Sequence, residues 1–562
     1  MTATQEPVLD SEGLKRHVGI WGLMWASEGS IIGSGWLFGA LGAVGVAGPS
    51  ALIGWAIASV VIMVIALVHA ELGGLFPVTG GTSRFPHYAF GSVAGGVFGW
   101  FSYIQAAAVA PIEVSAALQY LASAHWARHL FNGNKGVITD YPGLIVAAAL
   151  MIFFAAVNLI GIEWLNRANT SITTWKVLFP IFAIIVLLFT HFHSSNFSAN
   201  GGFFIHGQGF KAIVNTFPVG VIFALLGFEQ AVQLGGESAN PKRDLPRAVI
   251  GSVLIGAVIY LLAQLAFIGA LDPKTVAQAG TWQKLGQIPA LKTGPFYTVA
   301  RLASLGWLAW LLRADAVISP GGTGLIYLTS SSRIGFGLSK NGYVPTAFEK
   351  TDRRKVPVIG ILVAAAIGML FLLPFPSWNS LVNVVTSASV MMYAAAPLAL
   401  GALRRQKPGL ARVYTLPGGD AAAILAFFLA NCIIYYAGWQ TYTTLMFILL
   451  VGMVLIIVSY VLRLNPNRPE LDWEALIWIL PYLVGLGVIS FFGGFGNGPM
   501  FNGLYGFSHT WIGGDGKLGI GWDNLVLLGF SVVIYFLAMQ YRLPAAKVDQ
   551  YVRDVYPPPL GE

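Results

Sequence analysis

Gly29-Ser30-Ile31-Ile32-Gly33-Ser34-Gly35 interrupts an apolar stretch that runs from about residue 17 to 46. The stretch is long enough at helical rise to cross roughly 30 Å of hydrocarbon, and its glycines predict a break near the middle. A second stretch, 211–238, carries Ala224-Leu225-Leu226-Gly227-Phe228-Glu229 at a corresponding depth. Breaking a helix at the membrane midplane frees N–H and C=O groups that lipid cannot satisfy. Such a break is tolerated where a ligand, water or a neighbouring helix completes them. N–H groups around Ile31, Ile32, Gly33, Ser34 and Gly35, at the positive end of the outer half-helix, suit a carboxylate. Carbonyls around Phe223, Ala224, Leu226 and Gly227 suit an ammonium. The two breaks together fit a zwitterion; close helix packing is the other use of such small residues.

Outward from these breaks the chain stays apolar. Of its 562 residues 56% are hydrophobic and only 10% charged, with a mean hydropathy of +0.70. Soluble domains carry about a quarter charged residues, so lipid is the solvent for most of this chain. Fourteen candidate spans fall at 17–46, 51–75, 94–123, 141–163, 170–191, 211–238, 246–271, 299–331, 356–374, 378–402, 421–439, 442–463, 472–493 and 522–541. All are read as helices, because isolated strands leave their backbone unsatisfied in lipid. The expected division is a tail over 1–16, a ten-helix core over 17–402, four further helices over 403–541 with a long outside loop at 494–521, and a tail over 542–562.

The formal charge of +8 does not imply nucleic acid, since the basic residues alternate between rich and poor loops. With the N-terminus inside, about 22 of the 32 Lys and Arg lie in inside segments, a positive-inside pattern that places both tails in the cytoplasm. Arg353-Arg354-Lys355, with Lys340 and Lys350, forms the densest cluster; Arg404, Arg405 and Lys407 form another. No cleavable signal is expected, because the first apolar run is too long and lacks a small-residue cleavage pattern. The single cysteine, Cys432, excludes a disulfide framework. His191 and His193 lack further ligands nearby, so neither a metal nor a cofactor is expected. No metalloprotease, nucleophile-elbow or phosphate-loop motif is found, so an enzyme is not expected.

Gly29–Gly35 resembles the first-helix motif of the amino acid–polyamine–organocation superfamily. Phe223–Glu229, followed by Glu237, Asn240-Pro241, Arg243 and Leu245-Pro246-Arg247-Ala248, resembles its sixth-helix motif and the loop after it. Ala70-Glu71-Leu72 with Pro77 and Gly80-Gly81, and Ser332-Arg333 with Lys340-Asn341-Gly342 and Pro345, agree with two further blocks. The resemblance covers about residues 15–460. It implies an all-α polytopic membrane protein with a five-plus-five inverted-repeat core, helices 1 and 6 broken, and a central amino acid site. Two features depart from the usual pattern: Thr82-Ser83-Arg84-Phe85 replaces an acidic residue and an aromatic, and four helices rather than two follow the core. The fourteen-span layout and the stretch Arg313 to Pro320 look most similar to the aspartate–proton symporters of that superfamily.

Ionisable residues inside spans are functional candidates by default. Lys176 lies deep in span five, where the resemblance implies a lysine between helices one, five and eight that replaces the metal of sodium-coupled relatives. Glu229, after the second break, and Glu113, in Pro111-Ile112-Glu113-Val114-Ser115-Ala116-Ala117, suit proton relay or a hydrogen-bonded structural role equally. Arg313 and Asp315 are two residues apart and point to nearly opposite helix faces; each suits either substrate side-chain recognition or a structural pairing. Phe223 stands where the resemblance implies an aromatic gate. The expected function is proton-coupled amino acid import by alternating access, with an acidic substrate such as aspartate or glutamate. The partners are then the amino acid, protons and the lipid of a bacterial inner membrane. Exchange on the same fold and a transporter-like nutrient sensor are the alternatives.

Overall fold

Helices occupy all fourteen expected stretches, because in a chain this apolar only intra-segment hydrogen bonds satisfy the backbone. The computed structural model describes residues 18–496 and 520–553, apart from 134, 140, 161, 206, 208, 353–355 and 375–376 and the side chains of 162–170 and 520. The first span is two helices, α1 (Ile20–Ile31) and α2 (Ser34–Ala47); a 3-10 turn leads into α3 (Ala51–Leu75). The short α4 (Gly81–Phe90) precedes α5 (Ser92–Leu121). A small antiparallel pair, β1 (Phe131–Asn132) with β2 (Val137–Ile138), separates α5 from α6 (Tyr141–Ile160) and α7 (Ile162–Thr190). The sixth span comprises α8 (Gly209–Val214), a π turn at Phe217–Val221, α9 (Ile222–Leu225) and α10 (Glu229–Gln233).

After α11 (Pro241–Ala270) come four short helices, α12 (Pro273–Ala279), α13 (Trp282–Leu285), α14 (Pro289–Thr293) and α15 (Pro295–Leu302). They lead to α16 (Gly306–Lys340), α17 (Val358–Phe371), α18 (Trp378–Gln406), α19 (Gly419–Tyr436), α20 (Trp439–Val461), α21 (Leu476–Phe492), α22 (Ile520–Gln540) and α23 (Ala545–Tyr551). Ten helical segments among the described residues are long and apolar enough to cross a membrane, one of them the continuous run Ser34–Leu75. One expected boundary is corrected: span eight begins at Gly306 rather than 299. Ser304 adopts a left-handed φ of 61°, which ends α15 and separates it from the long helix.

The core is built around α5 and α18. In their apolar windows 94% and 100% of residues are buried, against 28% in α20. Small residues allow this: Gly95, Gly96, Gly99 and Ala106 to Ala108 on α5, and Ala394 to Ala396 on α18, admit neighbours on every side. α5 packs on α16 and α18, and α3 packs on α11. Leu450, Val454, Leu455 and Val458 of α20 are exposed, as a helix facing lipid requires.

Several basic residues expected to serve only topology have acidic partners. Buried Glu71 at the end of α3 receives Arg404 Nε at 2.9 Å, Arg412 at 3.3 Å and the Leu416 N–H at 2.7 Å. Arg405 pairs with Asp420 and Lys407 with Asp549. Arg353-Arg354-Lys355, the tail 1–17 and the loop 497–519 lie outside the described residues. The helix α23 returns to α4: the Tyr551 ring lies 4.2 Å from that of His87, tilted by 44°, and its hydroxyl donates to Asp472 at 3.0 Å. His87 is buried and shares a 2.6 Å hydrogen bond with Tyr343; burial, with Arg84 beside it, holds its imidazole down at about 3, hence neutral at ordinary pH. Substituting Glu71→Ala leaves Arg404 and Arg412 without their shared carboxylate. The expected cost is about 3–5 kcal/mol, read as a lower melting midpoint of the detergent-solubilised protein; an unchanged midpoint contradicts this.

Candidate functional site

At the first break Ile32 leaves helical geometry and Gly33 turns the chain before α2 restarts. The Ile32 N–H bonds to Glu28 O at 2.9 Å and the Gly33 N–H to Ile31 O at 3.1 Å, so these two expected donors are spent within the turn. The Ser34 N–H is taken from outside. Glu113 of α5 accepts it at 2.9 Å through Oε2 and accepts the Ser34 hydroxyl at 3.0 Å through Oε1. The Glu113 carboxyl therefore caps the N-terminus of α2, where the helix dipole favours an acceptor. Trp378 of α18 donates its indole N–H to Ser34 Oγ at 2.8 Å.

The carbonyl side of the same break is closed by a lysine. Lys176 of α7 is fully buried and donates to Gly29 O and, at 2.6 Å, to Thr323 Oγ1 of α16. The Thr323 hydroxyl also lies 3.0 Å from Gly29 O. Tyr260 of α11 donates to Ile31 O at 2.6 Å. The lysine thus ties together α1, α7 and α16, the three helices that the resemblance implied.

The second break runs through Leu226 and Gly227. Gly227 has a φ of +125°, and a Cβ placed on it would lie 2.7 Å from the Ile31 nitrogen; only glycine lets the two breaks touch. A Cβ on Gly35 would likewise lie 2.8 Å from Ala224 Cα. Glu229 turns back to accept the Gly227 N–H at 2.9 Å, Tyr393 OH at 2.6 Å and Tyr327 OH at 3.1 Å. Phe228 O receives Ser27 Oγ at 3.1 Å, and Phe223 O receives the Leu226 N–H at 3.1 Å.

Between the breaks is a cavity of about 10 Å³, room for about one water, bordered by Ser30, Gly33, Glu113, Phe223 and Tyr327 among others. On one side Phe223, Trp378 and Phe38 close over it, with ring centroids 6.0 Å and 5.1 Å apart. On the other side a cavity of about 910 Å³ lies among α1, α6, α7 and α16 and reaches Arg333, whose Nε donates to Glu237 at 2.6 Å. Glu113 borders both cavities.

The structure brings Ile31 to Gly35, Phe223, Ala224, Leu226, Gly227, Lys176, Glu113 and Glu229 around this centre. Asp315 lies one layer further out: it accepts Trp36 Nε1 at 3.0 Å, Trp175 Nε1 at 2.8 Å and Ser319 Oγ at 2.6 Å. Arg313 points elsewhere, donating to Ser123 at 3.2 Å and lying 4.4 Å over the Tyr297 ring. Among the described residues no group of three His, Cys, Asp or Glu could hold a metal.

A family model described as amino acid permease matches residues 18–459. The chain belongs to the amino acid permease family. Over 550 residues this permease is 33% identical to the glutamate/serine transporter AimA of Bacillus subtilis, covering 96% of each chain. It is 32% identical over 545 residues to the aspartate-proton symporter of the same organism, covering 95% of this chain and 98% of the relative. It is 25% identical over 456 residues to the branched-chain amino acid permease BcaP, covering 79% and 93%.

Thr323, Tyr260, Tyr327, Tyr393, Trp378, Trp36 and Trp175 were not singled out from the sequence. Nothing in their local pattern marks them, since each acts across helices far apart in the chain. In this permease Gly227→Ala forces a side chain into a left-handed backbone and against the first break. The expected result is a protein that still reaches the membrane with at least tenfold lower uptake; wild-type uptake contradicts the contact.

Proposed function

We propose that this permease imports an amino acid together with protons, and that the substrate is acidic or small and polar. The relatives named for glutamate, serine and aspartate support the substrate class, and the one named a proton symporter supports the coupling. The observation that carries the reading is the carboxylate of Glu113 on the Ser34 N–H. The N-terminus of α2 is an anion site held by the protein's own acid, and an incoming substrate carboxylate competes for the same donor. Protonation of Glu113 weakens its hold there, so a proton and a substrate favour the same exchange of partners.

Lys176 supplies the second half of the coupling. As an ammonium it makes charge-assisted bonds to Gly29 O and Thr323; as an amine it holds α1 against α7 and α16 less firmly. The broken helices sit at corresponding places if residues 17–402 form two inverted repeats of five spans, and α1, α2, α9 and α10 are then the moving gates. Glu229, between Tyr327 and Tyr393, orders the second break, and Phe223 covers the cavity. Asp315 is committed to Trp36, Trp175 and Ser319, and Arg313 to Ser123 and the Tyr297 ring. We assign the Arg333 end and both tails to the cytoplasm of a bacterium, with the protein in its plasma membrane.

The test is uptake of labelled L-glutamate, L-aspartate and L-serine into proteoliposomes, with and without an inward proton gradient. The expected result is proton-stimulated uptake that Lys176→Ala abolishes while counterflow exchange persists. Uptake that requires an internal amino acid and ignores the gradient would instead make the protein an exchanger, and binding without uptake a sensor.

A further inference from the structure

Glu28 stands apart from every other buried acid of the core. Its side chain is fully buried, and neither carboxyl oxygen has a hydrogen-bond partner among the described residues. Elsewhere in the core, Glu71 is met by two arginines, Glu113 by Ser34, Glu229 by two tyrosines and Asp315 by two indoles. Glu237 and Asp244 have Arg333 and Arg243. A carboxylate with no donor at membrane depth is far costlier than the neutral acid, so Glu28 holds a proton in this conformation.

Its position shows when that proton would be released. Met24 and Ile31 lie four residues before and three after Glu28, on the same helix face, and both meet α11. A Cβ on Gly251 would fall 3.2 Å from Met24 Sδ, and one on Gly256 would fall 2.8 Å from Ile31 Cγ2. Glu28 is therefore sealed in the seam between α1 and α11. Another face of α1, through Gly22, Trp25 and Ala26, borders the 910 Å³ cavity. Tilting α1 into that space opens the seam and wets Glu28 without unfolding anything.

Among the described residues, the charged and titratable side chains deep on the helices packed against α1 are already committed. Lys176 on α7 is bonded to Gly29 O and Thr323, Tyr260 on α11 to Ile31 O, and Glu229 on α10 to Tyr327 and Tyr393. On α16, Asp315 is held by Trp36 and Trp175, and Arg333 by Glu237. None of these bonds goes to the Glu28 carboxyl, so its protonation follows access to water.

We infer that Glu28 carries a second proton through the transport cycle, held while the α1–α11 seam is closed and exchanged with water when α1 tilts away. The inference rests on the proton-coupled reading above. It gives an acidic amino acid what a single proton cannot: one proton cancels the substrate's net negative charge, and a second makes the complex positive. The membrane potential then contributes, by roughly 50-fold in accumulation per 100 mV.

The experiment compares wild type with Glu28→Gln in proteoliposomes, recording proton and labelled-substrate fluxes together. Glutamine keeps the size and neutrality of the protonated acid but cannot release a proton. The expected result is continued uptake with one proton fewer per substrate and no acceleration by an inside-negative potential. An unchanged ratio in a wild type that does transport protons overturns the role of Glu28 alone; a wild type that moves no protons overturns symport as well. Should Glu28→Gln not fold, wild-type protein is treated with dicyclohexylcarbodiimide, which attacks protonated buried carboxyls, and its peptides are mapped by mass spectrometry. An adduct on Glu28 supports the inference and its absence overturns it.

Discussion

Backbone groups released at a helix break must be satisfied inside the membrane, and most of the site follows from how this chain does it. Lipid supplies no donor or acceptor, and each unmet group costs several kcal/mol. The break between Ile31 and Ser34 is completed from five other helices: α5 through Glu113, α7 through Lys176, α11 through Tyr260, α16 through Thr323 and α18 through Trp378. A weak point in one helix thereby becomes the place where the core converges. It also becomes the place where an outside molecule, by offering a better partner, can rearrange the core.

Ionisable groups sit across the break in the sense the helix dipole favours: the acid Glu113 is at the N-terminus of α2 and Lys176 is at the carbonyl end of α1. On the proposed function these two places take the ends of a zwitterion, and binding, protonation and helix movement are linked by mass action on shared hydrogen bonds, with no long-range pathway between separate sites.

The fold was legible in the sequence because hydropathy and helix length leave few alternatives in lipid, and because the two glycine-bearing breaks interrupt otherwise unambiguous spans. Lys176, Glu113 and Glu229 were legible for a related reason: an ionisable side chain inside an apolar run is conspicuous. The start of α16 was missed because one left-handed serine, Ser304, separates it from α15 without any glycine or proline at that position. The aromatic and hydroxyl partners were missed because Trp and Tyr are common in a membrane chain, and their roles depend on contacts hundreds of residues away, as between Trp378 and Ser34. Asp315 was visible as an ion, but its two indole partners were not. Glu28 lies beside the most informative motif, and only its lack of partners in three dimensions sets it apart.

The proposed coupling rests on competition between Glu113 and the substrate carboxylate for the N-terminus of α2. Substrate affinity measured by calorimetry across pH, for wild type and for Glu113→Gln, tests it most directly. Wild-type affinity is expected to tighten as the pH falls, and Glu113→Gln to bind at least as tightly with little pH dependence. Wild-type affinity that ignores pH, or a Glu113→Gln protein that folds but no longer binds, would contradict it.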